Sequence, residues 1–331
     1  MATDDAIKAA ARLLEAGSLV AFPTETVYGL GADAENPEAI AAIYAAKGRP
    51  SNHPVIVHLA PEADLSYWAD EIPEHAKKLI AAFWPGPLTL ILKRAAHIPA
   101  AVSGGQDSIG LRCPSHPVAQ ALLREFKGGK GGVAAPSANK FGHVSPTTAQ
   151  HVRDEFHDEL PCILDGGQSE VGIESTIVDL SRGGVALLRP GGIGAERIEA
   201  VLGVKPAAPD AAAPRVSGAL ESHYAPATPV VVVQMDRLAD AVLQLRAAGK
   251  RVVTIQREWE GLAGSLATRM MPVAPEGYAH DLYAALRAMD HAGADVIVVE
   301  APPVSQDWAG VNDRLRRAAF NGRGVANILN F

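Results

Sequence analysis

Apolar and polar positions alternate with two different periods up to residue 204. Short apolar runs bounded by Gly, Pro or Asn are typical of buried strands, and runs with a period near 3.6 are typical of helices. The predicted strands are SLVAF, PVIVHL, LTLILK, SIGLRCP, GGVAAPSAN, CILDGG, STIVDL and VALLRPGG. The predicted helices start at Asp4 or Asp5, at Asn36-Pro37, in EHAKKLIAAFW, in PVAQALLREF, and at Thr147 or Thr148. Without strict β-α alternation, this pattern predicts an α/β sheet with parallel and antiparallel pairs.

The pattern changes after residue 204. Residues 205–229 are rich in Ala and Pro and have no period, which predicts a linker. From residue 230 the segments VVVVQ, LADAVLQLRAAG, KRVVTI, YAHDLYAALRAMDHAG, ADVIVVEA and NDRLRRAAF alternate between strand and helix patterns. We therefore expect a first domain over 1–204, a linker over 205–229, and a second domain over 230–331 with a small parallel sheet.

The segment GLGADA, which begins at Gly29, matches the dinucleotide-binding pattern G-x-G-x-x-G/A and follows an apolar run. In a dinucleotide site the glycine turn opens a helix directly, whereas the helix signal here comes only at Asn36. The segment KGRPS occupies the region where an acidic residue is expected about 20 positions on. The pattern therefore disfavours an NAD-dependent oxidoreductase, and Gly29 and Gly31 are expected to shape a turn after the first strand.

Composition excludes further classes. The chain has 331 residues and a formal net charge of −7, which rules out a broad cationic surface for nucleic acid but leaves a local basic pocket open. Two cysteines, Cys113 and Cys162, cannot form a disulfide framework. The N-terminus predicts an amphipathic helix rather than a signal peptide, and apolar runs fall short of the roughly 20 residues of a membrane span. We expect a soluble, cytoplasmic protein without a membrane partner.

Polar residues gather where predicted strands or helices end, which is where α/β folds bind ligands. Thr24, Glu25 and Thr26 follow the first strand, and Lys47 with Arg49 follows the second helix. These two cations either interact only with the negative end of the helix dipole or bind an anion together. Further polar groups are Ser108 with Arg112, Ser137–Asn139 with Ser145–Thr147, and Glu174–Thr176 with Arg189.

Arg112 lies on the same strand face as Ser108 and needs a partner for its charge, either a ligand carboxylate or an internal Asp or Glu. His53 and His58 do not form a zinc motif, and Cys113 is expected to be structural rather than a reactive thiol. Cations, hydroxyls and amides without a nucleophile suit chemistry governed by positioning and charge stabilisation. Phosphoryl or nucleotidyl transfer on a magnesium-bound nucleotide is of this kind.

Seven segments, in this order, resemble the YrdC-like threonylcarbamoyl-AMP synthases: FPTETVYGLGADA, KGRPSNHPVIVHL, WPGPLTLIL, GLRCP, APSANKFGHVSPTTAQHV, GGQSEVGIESTIVD and LLRPGGI. The segment SGALESHYAP and the α/β tail resemble the longer, two-domain members. The resemblance implies a mixed, twisted sheet with a concave cationic cavity, followed by a small Rossmann-like parallel domain. It also implies that the linker closes over the cavity as a lid.

The resemblance implies an activity in which L-threonine, bicarbonate and ATP, with Mg²⁺, give L-threonylcarbamoyl-AMP and pyrophosphate. A tRNA threonylcarbamoyltransferase complex then uses this product on tRNAs that read ANN codons, and a transient contact with tRNA is left open. The alternative hypothesis is an RNA-binding module for ribosome or tRNA maturation that uses the cationic cavity.

Matched by motif, Lys47 and Arg49 are the expected catalytic residues. The residues expected to bind L-threonine are Thr26, His58, Arg112, Ala135 and Ser175. The residues expected to bind ATP are Arg49, His53, Ser108, Ser137, Asn139, Ser145, Arg189 and Tyr224. Position 53 departs from the family because many members have Asn there. No metal ligand from the protein is expected, because the magnesium ion comes with ATP.

Overall fold

A computed structural model describes residues 2–218, 221, 223–257 and 264–329. The chain divides into two compact units, Met1–Phe141 with Pro146–Ala219, and Gly142–Ser145 with Leu220–Phe331. Each unit is built on its own sheet. The boundary between residues 219 and 220 falls inside the Ala- and Pro-rich segment 205–229.

The first unit contains a mixed sheet of eight strands within its described residues. The strands are β1 (Val20–Phe22), β2 (Gly29–Asp33), β3 (Ile56–Leu59), β4 (Leu88–Lys93), β5 (Ser108–Arg112), β6 (Gly132–Ala134), β7 (Thr176–Asp179) and β8 (Ala186–Arg189). Their order across the sheet is β1-β2-β6-β3-β5-β4-β7-β8. The pairs β3–β5 and β4–β7 are parallel, and the other pairs are antiparallel. The predicted mixture of pairings is confirmed.

The helices of this unit cover the two sheet faces unequally. They are α1 (Asp4–Glu15), α2 (Pro37–Lys47), α3 (Leu65–Trp68), α4 (Glu74–Phe83), α5 (Pro117–Glu125), α6 (Ala149–Phe156) and α7 (Ala195–Leu202). One face of the sheet packs against α2, α4, α6 and α7 in the larger core. On the other face, α1 and α5 pack only at the end formed by β1 and β6, through residues such as Phe22 and Val133. Side chains of β3, β5, β4 and β7 that point to this second face contribute to the candidate site.

Helix ends position the first polar residues. The side chain of Thr3 caps α1, so the predicted caps Asp4 and Asp5 are wrong by one and two positions and lie in the first turn. Asn36 caps α2 as predicted, and α2 ends at Gly48, which adopts a left-handed φ of 62°. This C-terminus sets Lys47 on the last turn. Thr148, one of the two predicted residues, caps α6.

Two further predictions for the first unit are wrong. Gly29 and Gly31 lie inside strand β2 rather than in a turn. A Cβ atom on Gly31 would lie 2.9 Å from both Phe22 Cε1 and Val133 Cγ1, so the glycine allows close packing on this face. The segment CILDGG forms only an isolated bridge between Ile163 and Ala21 instead of a strand. The apolar run was too short to distinguish a paired strand from an extended loop.

The second unit contains a parallel sheet, as predicted, of four strands in its described residues. The strands are β9 (Val230–Val233), β10 (Val252–Gln256), β11 (Thr268–Met270) and β12 (Val296–Glu300), in the order β11-β10-β12-β9. The helices are α8 (Leu238–Ala247), α9 (Pro275–Asp290), α10 (Ala309–Ala318) and α11 (Arg323–Ala326). The short elements β11 and α11 have no counterpart in the predicted pattern. Among the described residues, no helix has the length and apolar character to cross a membrane.

Candidate active site

Adjacent strands of the first sheet bring predicted site residues together. His58 on β3 and Arg112 on β5 are register partners, so their side chains share one face. Because Leu90 opposes Leu111, Thr89 is the neighbour of Arg112 on β4. Thr89 Oγ1 lies 2.8 Å from Ser175 Oγ, just before β7. The sheet thus places His58, Arg112 and Ser175 along one buried line, although they are far apart in sequence.

Thr24, Glu25, Thr26 and Arg112 form a group that we call the hydroxyl–arginine cluster. Arg112 Nη1 donates to Thr26 Oγ1 over 2.8 Å. Arg112 Nη2 forms an ion pair with Glu25 Oε1 at 2.6 Å, and both side chains are nearly fully buried. Thr26 Oγ1 lies 2.9 Å from Thr24 Oγ1. The cluster combines one balanced charge pair with two oriented hydroxyls.

Glu25 is the internal carboxylate that pairs with Arg112. Of the two partners that the sequence left open, the structure contains the internal carboxylate. The backbone N–H of Ser115 donates to Glu25 Oε2 over 3.1 Å, which anchors the carboxylate. The sequence showed Glu25 as a carboxylate between two threonines at the end of an apolar strand, but it did not identify Arg112 as its partner. A contact of Arg112 with a substrate carboxylate stays a prediction.

His58 is a buried neutral base in the same region. Burial, together with the positive charge of Arg112, lowers the pKa of His58 to about 3. Its ring packs edge-on against Phe22 with the centroids 6.0 Å apart. Nδ1 of His58 has no hydrogen-bond partner among the described residues. His58 can therefore exchange a hydrogen bond with a ligand but does not carry a charge at neutral pH.

Lys47, Arg49 and Arg189 form a second group, which we call the cationic cluster. Lys47 Nζ donates to the backbone carbonyls of Ser137 (2.6 Å) and Asn139 (2.5 Å). Burial and the charge of Arg49 hold the pKa of Lys47 well below its usual value of 10.5. An ammonium has three N–H groups, so Lys47 keeps one for a further acceptor.

Ser217 joins the two arginines of the cationic cluster. Arg49 Nη2 donates to Ser217 Oγ over 3.2 Å and to Pro54 O over 2.8 Å. Arg189 Nη1 donates to Ser217 O over 2.9 Å, and its Nη2 donates to Ser175 O over 2.9 Å. Ser217 belongs to the segment predicted as a linker and was not among the predicted site residues. An Ala- and Pro-rich segment carries no signal for such a contact.

Residues 215–217 fill the groove beside the cationic cluster. They cover a floor formed by Pro54, Val55, Ile56, Ile91, Gln106, Ser108, Gly110 and Ile177. The remaining cavity has a volume of about 10 Å³, which is the space of about one water molecule. The backbone N–H of Arg215 donates to Gln106 Oε1 over 2.8 Å, and its guanidinium donates to Gly104 O over 3.0 Å. The segment 215–217 therefore leaves little space beside Ser108.

The remaining predicted residues of the first unit surround these groups. Ser137 and Asn139 contact Lys47 through backbone carbonyls rather than through their side chains. The ring of His53 packs edge-on against Phe141 at 5.5 Å, and burial with the charges of Arg49 and Arg215 lowers the pKa of His53. The backbone N–H of Ala135 donates to the carbonyl of Ile56 on the cavity floor, over 2.9 Å.

Comparison with known proteins shows the family to which the chain belongs. Residues 12–191 match the Sua5/YciO/YrdC family, described as "Telomere recombination", and residues 193–320 match the family "Threonylcarbamoyl-AMP synthase, C-terminal domain". The threonylcarbamoyl-AMP synthase of Pyrococcus abyssi is 39% identical over 95% of this chain and 94% of its own length. That of Bacillus subtilis is 39% identical over 96% and 93%. The chain belongs to the threonylcarbamoyl-AMP synthase family.

Solved structures support the same assignment. The crystal structure of P. abyssi Sua5 complexed with L-threonine has a TM-score of 0.89 and 36% identity. The match covers 97% of this chain and 96% of that one. The predicted fold class, a mixed sheet followed by a parallel α/β domain, is confirmed by this likeness. As a member of this family the chain is an enzyme that transfers nucleotidyl groups.

Two residues that the family resemblance singled out belong to the second unit. Ser145 is fully buried there. Tyr224 adopts a positive φ of 58°, and its ring lies 5.7 Å from that of Tyr283 and 5.4 Å from the guanidinium of Arg314. Their expected contacts with ATP stay predictions.

A larger cavity lies away from every predicted site residue. Its volume is about 750 Å³, and it is lined by Glu35, Glu62–Asp64, Tyr67, Arg124 and Lys127–Gly131. Two of the three cations that line it form ion pairs, Lys127 with Glu35 and Arg124 with Glu62. The predicted site residues therefore do not line this cavity.

Neither a reactive thiol nor a cluster of metal ligands is found among the described residues of the site. Burial raises the pKa of Cys113 to about 12, so its thiol is not ionised at neutral pH. Within the described part of the chain, no group of three or more His, Cys, Asp or Glu side chains is arranged to hold a metal ion. This donor set does not fit a metal ion bound by the protein alone.

Proposed function

We propose that this protein is an L-threonylcarbamoyladenylate synthase. It would convert L-threonine, bicarbonate and ATP into L-threonylcarbamoyl-AMP and pyrophosphate. One observation carries the proposal: the hydroxyl–arginine cluster and the cationic cluster lie in the same unit. Ser175 lies between them, because its hydroxyl contacts both Thr89, the strand neighbour of Arg112, and Arg189 of the cationic cluster. The first cluster suits an amino acid and the second suits phosphates. The P. abyssi relative, whose structure is a complex with L-threonine, supports the choice of amino acid.

The threonine subsite would consist of Thr26, His58, Arg112, Ala135 and Ser175. Arg112 offers N–H groups to the carboxylate of the substrate, and the buried hydroxyls of Thr26 and Ser175 offer hydrogen bonds to its polar groups. The neutral ring of His58 adds a further hydrogen bond without adding a charge. Buried polar groups of this kind discriminate strongly against ligands that cannot pair with them.

The nucleotide would lie on the cationic cluster. Lys47, Arg49 and Arg189 would exchange carbonyl and hydroxyl oxygens for phosphate oxygens, which form stronger, charge-assisted bonds. Other nucleotide contacts would come from His53, Ser108, Ser137, Asn139, Ser145 and Tyr224. Magnesium would arrive with the phosphates of ATP, which supply the oxygen ligands that it prefers.

The chemistry follows from these contacts. The amine of threonine adds to CO₂, formed from bicarbonate, and gives a carbamate. A carbamate oxygen attacks the α-phosphorus of ATP, and the bond from that phosphorus to the leaving pyrophosphate breaks. Lys47, Arg49 and Arg189 stabilise the negative charge that develops on the phosphorus oxygens. The residues of the protein act by positioning and by charge rather than by forming a covalent intermediate.

The segment 205–229 would act as a lid between two domains, 1–204 and 230–331. With ATP bound, it would close over the nucleotide and shelter the carbamate and the mixed anhydride from water. The product would then pass in the cytoplasm to a tRNA threonylcarbamoyltransferase complex for modification of tRNAs that read ANN codons. The second domain would stabilise or regulate the lid.

A pyrophosphate-release assay with omissions tests the proposal. We expect release from Mg²⁺–ATP only when L-threonine and bicarbonate are both present, together with transfer of ¹⁴C from labelled bicarbonate into a nucleotide product. Release that ignores threonine would contradict the proposal. RNA binding with a steep salt dependence and no ATP turnover would instead favour the alternative of an RNA-binding module.

A further inference from the structure

Thr89 is a buried polar residue that lies beside the predicted site residues without being one of them. It stands on β4 opposite Arg112 of β5, because Leu90 opposes Leu111 in this antiparallel pair. Its side chain is fully buried, so its hydroxyl needs a hydrogen-bond partner. Among the described residues that partner is Ser175 Oγ, 2.8 Å away. Thr89 is thus tied to a residue of the proposed threonine subsite.

The neighbouring strands orient the side chain of Thr89. A Cβ atom on Gly110 would lie 3.6 Å from Thr89 Cγ2, so the methyl group of Thr89 faces β5. Strand β7 lies on the other side of β4, and the hydroxyl points to Ser175, which immediately precedes β7. Because threonine is branched at Cβ and stiff at χ1, the packing of the methyl group holds the hydroxyl towards Ser175.

Ser175 makes separate contacts through its backbone and its side chain. Its carbonyl oxygen accepts from Arg189 Nε over 3.1 Å and from Arg189 Nη2 over 2.9 Å. Its hydroxyl lies 3.2 Å from Arg189 Nη2 and 2.8 Å from Thr89 Oγ1. Either hydroxyl can donate in the shorter contact, and in both cases the contact restrains the side-chain torsion of Ser175. Arg189 is therefore anchored by a carbonyl group, whereas Thr89 is the closer partner of the Ser175 hydroxyl.

We propose that Thr89 is a positioning residue that orients the hydroxyl of Ser175 for L-threonine. This inference rests on the proposed function, in which Ser175 binds that substrate. Thr89 touches no substrate and acts through Ser175. Because the carbonyl group of Ser175 anchors Arg189 without Thr89, the effect of Thr89 is confined to threonine binding and does not extend to the phosphates.

Calorimetric titration of the full-length protein tests the inference with two ligands, L-threonine and the Mg²⁺ complex of the α,β-methylene analogue of ATP. Thr89→Val keeps the shape of the side chain and removes its hydroxyl. It should weaken L-threonine about three- to tenfold, the value of one hydrogen bond between neutral groups, and leave the ATP analogue within about twofold. Thr89→Ser, which keeps the hydroxyl, should bind both ligands like the wild type.

A double-mutant cycle with Ser175→Ala separates positioning from direct contact. Ser175→Ala should itself weaken L-threonine. Thr89→Val should then have no further effect in the Ser175→Ala background, because the hydroxyl through which Thr89 acts is gone. Additive losses in the double variant would overturn the inference, since Thr89 would then contact the substrate itself or support the site independently of Ser175.

The remaining outcomes separate the role of Thr89 from the proposed function. Equal weakening of both ligands by Thr89→Val would overturn the inference, because it would indicate a general disturbance of the site. A Thr89→Val protein that binds L-threonine like the wild type would contradict only the role of Thr89. Wild-type protein that binds no L-threonine would contradict the proposed function itself. If Thr89→Val does not fold, Thr89→Ala takes its place in the same cycle, with the same expected results.

Discussion

The two polar clusters of the first unit hold their cations in different ways. In the hydroxyl–arginine cluster, a carboxylate at 2.6 Å balances the charge of Arg112. In the cationic cluster, Lys47 donates to two backbone carbonyls, and Arg189 donates to the carbonyls of Ser175 and Ser217. A phosphate can replace a neutral carbonyl and gain a stronger bond, whereas it cannot profitably replace a carboxylate. Under the proposed function, the zwitterionic substrate would bind at the first cluster and the polyanion at the second.

Removal of a charge from the cationic cluster should have the largest effect. Lys47→Ala should lower kcat/KM for pyrophosphate release about 10²–10³-fold, the typical cost of losing one group that stabilises transition-state charge. Threonine affinity, measured by calorimetry, should stay within about twofold because Lys47 lies outside the hydroxyl–arginine cluster. If the two clusters bind different substrates, Lys47→Ala should therefore lower turnover without lowering the affinity for threonine.

Lys77→Ala is the matched control for this prediction. It removes the same charge from an exposed position on α4, where Lys77 pairs only with Glu74 in the same helix, and should leave turnover unchanged. If Lys47→Ala weakened threonine and nucleotide to the same extent, the two clusters would act as one site and the comparison would fail.

His58 provides a second way to probe the difference, through stability. The pKa of His58 is about 3 in the folded protein, against 6.5 for an ordinary histidine. Between these two pKa values, His58 is protonated in the unfolded chain but neutral in the folded protein. The free energy of unfolding therefore falls as the pH drops from 6.5 towards 3. At pH 5 the cost is about 2 kcal/mol. His58→Gln removes the titrating group, so its unfolding free energy should gain about this amount on the wild type between pH 8 and pH 5.

Urea unfolding of both proteins at several pH values measures this change. Any change in stability that His58→Gln causes at all pH values does not affect the test. Only the pH dependence of the difference in unfolding free energy between the two proteins is compared. A difference that stays constant between pH 8 and pH 5 would mean that His58 titrates normally and that the buried, Arg112-facing environment is wrong.

Secondary structure could be predicted from the sequence wherever apolar periodicity was strong. The helix from Asn36 to Gly48 was recognised at both ends because the cap and the glycine act locally. The strand containing Gly29 and Gly31 was wrongly predicted as a turn, because a glycine used for close packing and one used for a turn look the same in sequence. Only the tertiary neighbours Phe22 and Val133 distinguish the two.

The site was predictable as residue types but not as pairings. Residue type alone identified Lys47, Arg49 and Arg112 as candidates for binding anions, with the helix dipole and an internal carboxylate as the alternatives. The ion pair between Glu25 and Arg112 joins the loop after β1 to strand β5, and only tertiary packing brings these two residues together. The family resemblance implied only that the linker closes over the cavity, so the individual contacts of Ser217 with Arg49 and Arg189 could not be anticipated.

The decline of kcat/KM for ATP at alkaline pH should be the smallest of these effects. It tests directly whether Lys47 acts as a cation in the cationic cluster. Burial and the positive charges of Arg49 and Lys140 lower the pKa of Lys47, and Glu155 and Glu174 oppose this shift only in part. Above that lowered pKa, Lys47 loses the proton that a phosphate needs. We expect kcat/KM for ATP to fall about tenfold per pH unit on an alkaline limb whose midpoint lies below pH 10.5.

Lys47→Arg identifies the residue responsible for this limb. A guanidinium stays protonated above about pH 12, so the variant should lose the alkaline limb, whatever its absolute rate. The shape of the profile is the readout, because the longer side chain changes the height by itself. A wild-type profile that stays flat to about pH 10, or a limb that persists in Lys47→Arg, would show that Lys47 does not act as a buried cation. The two clusters would then not differ in the way that their partners suggest.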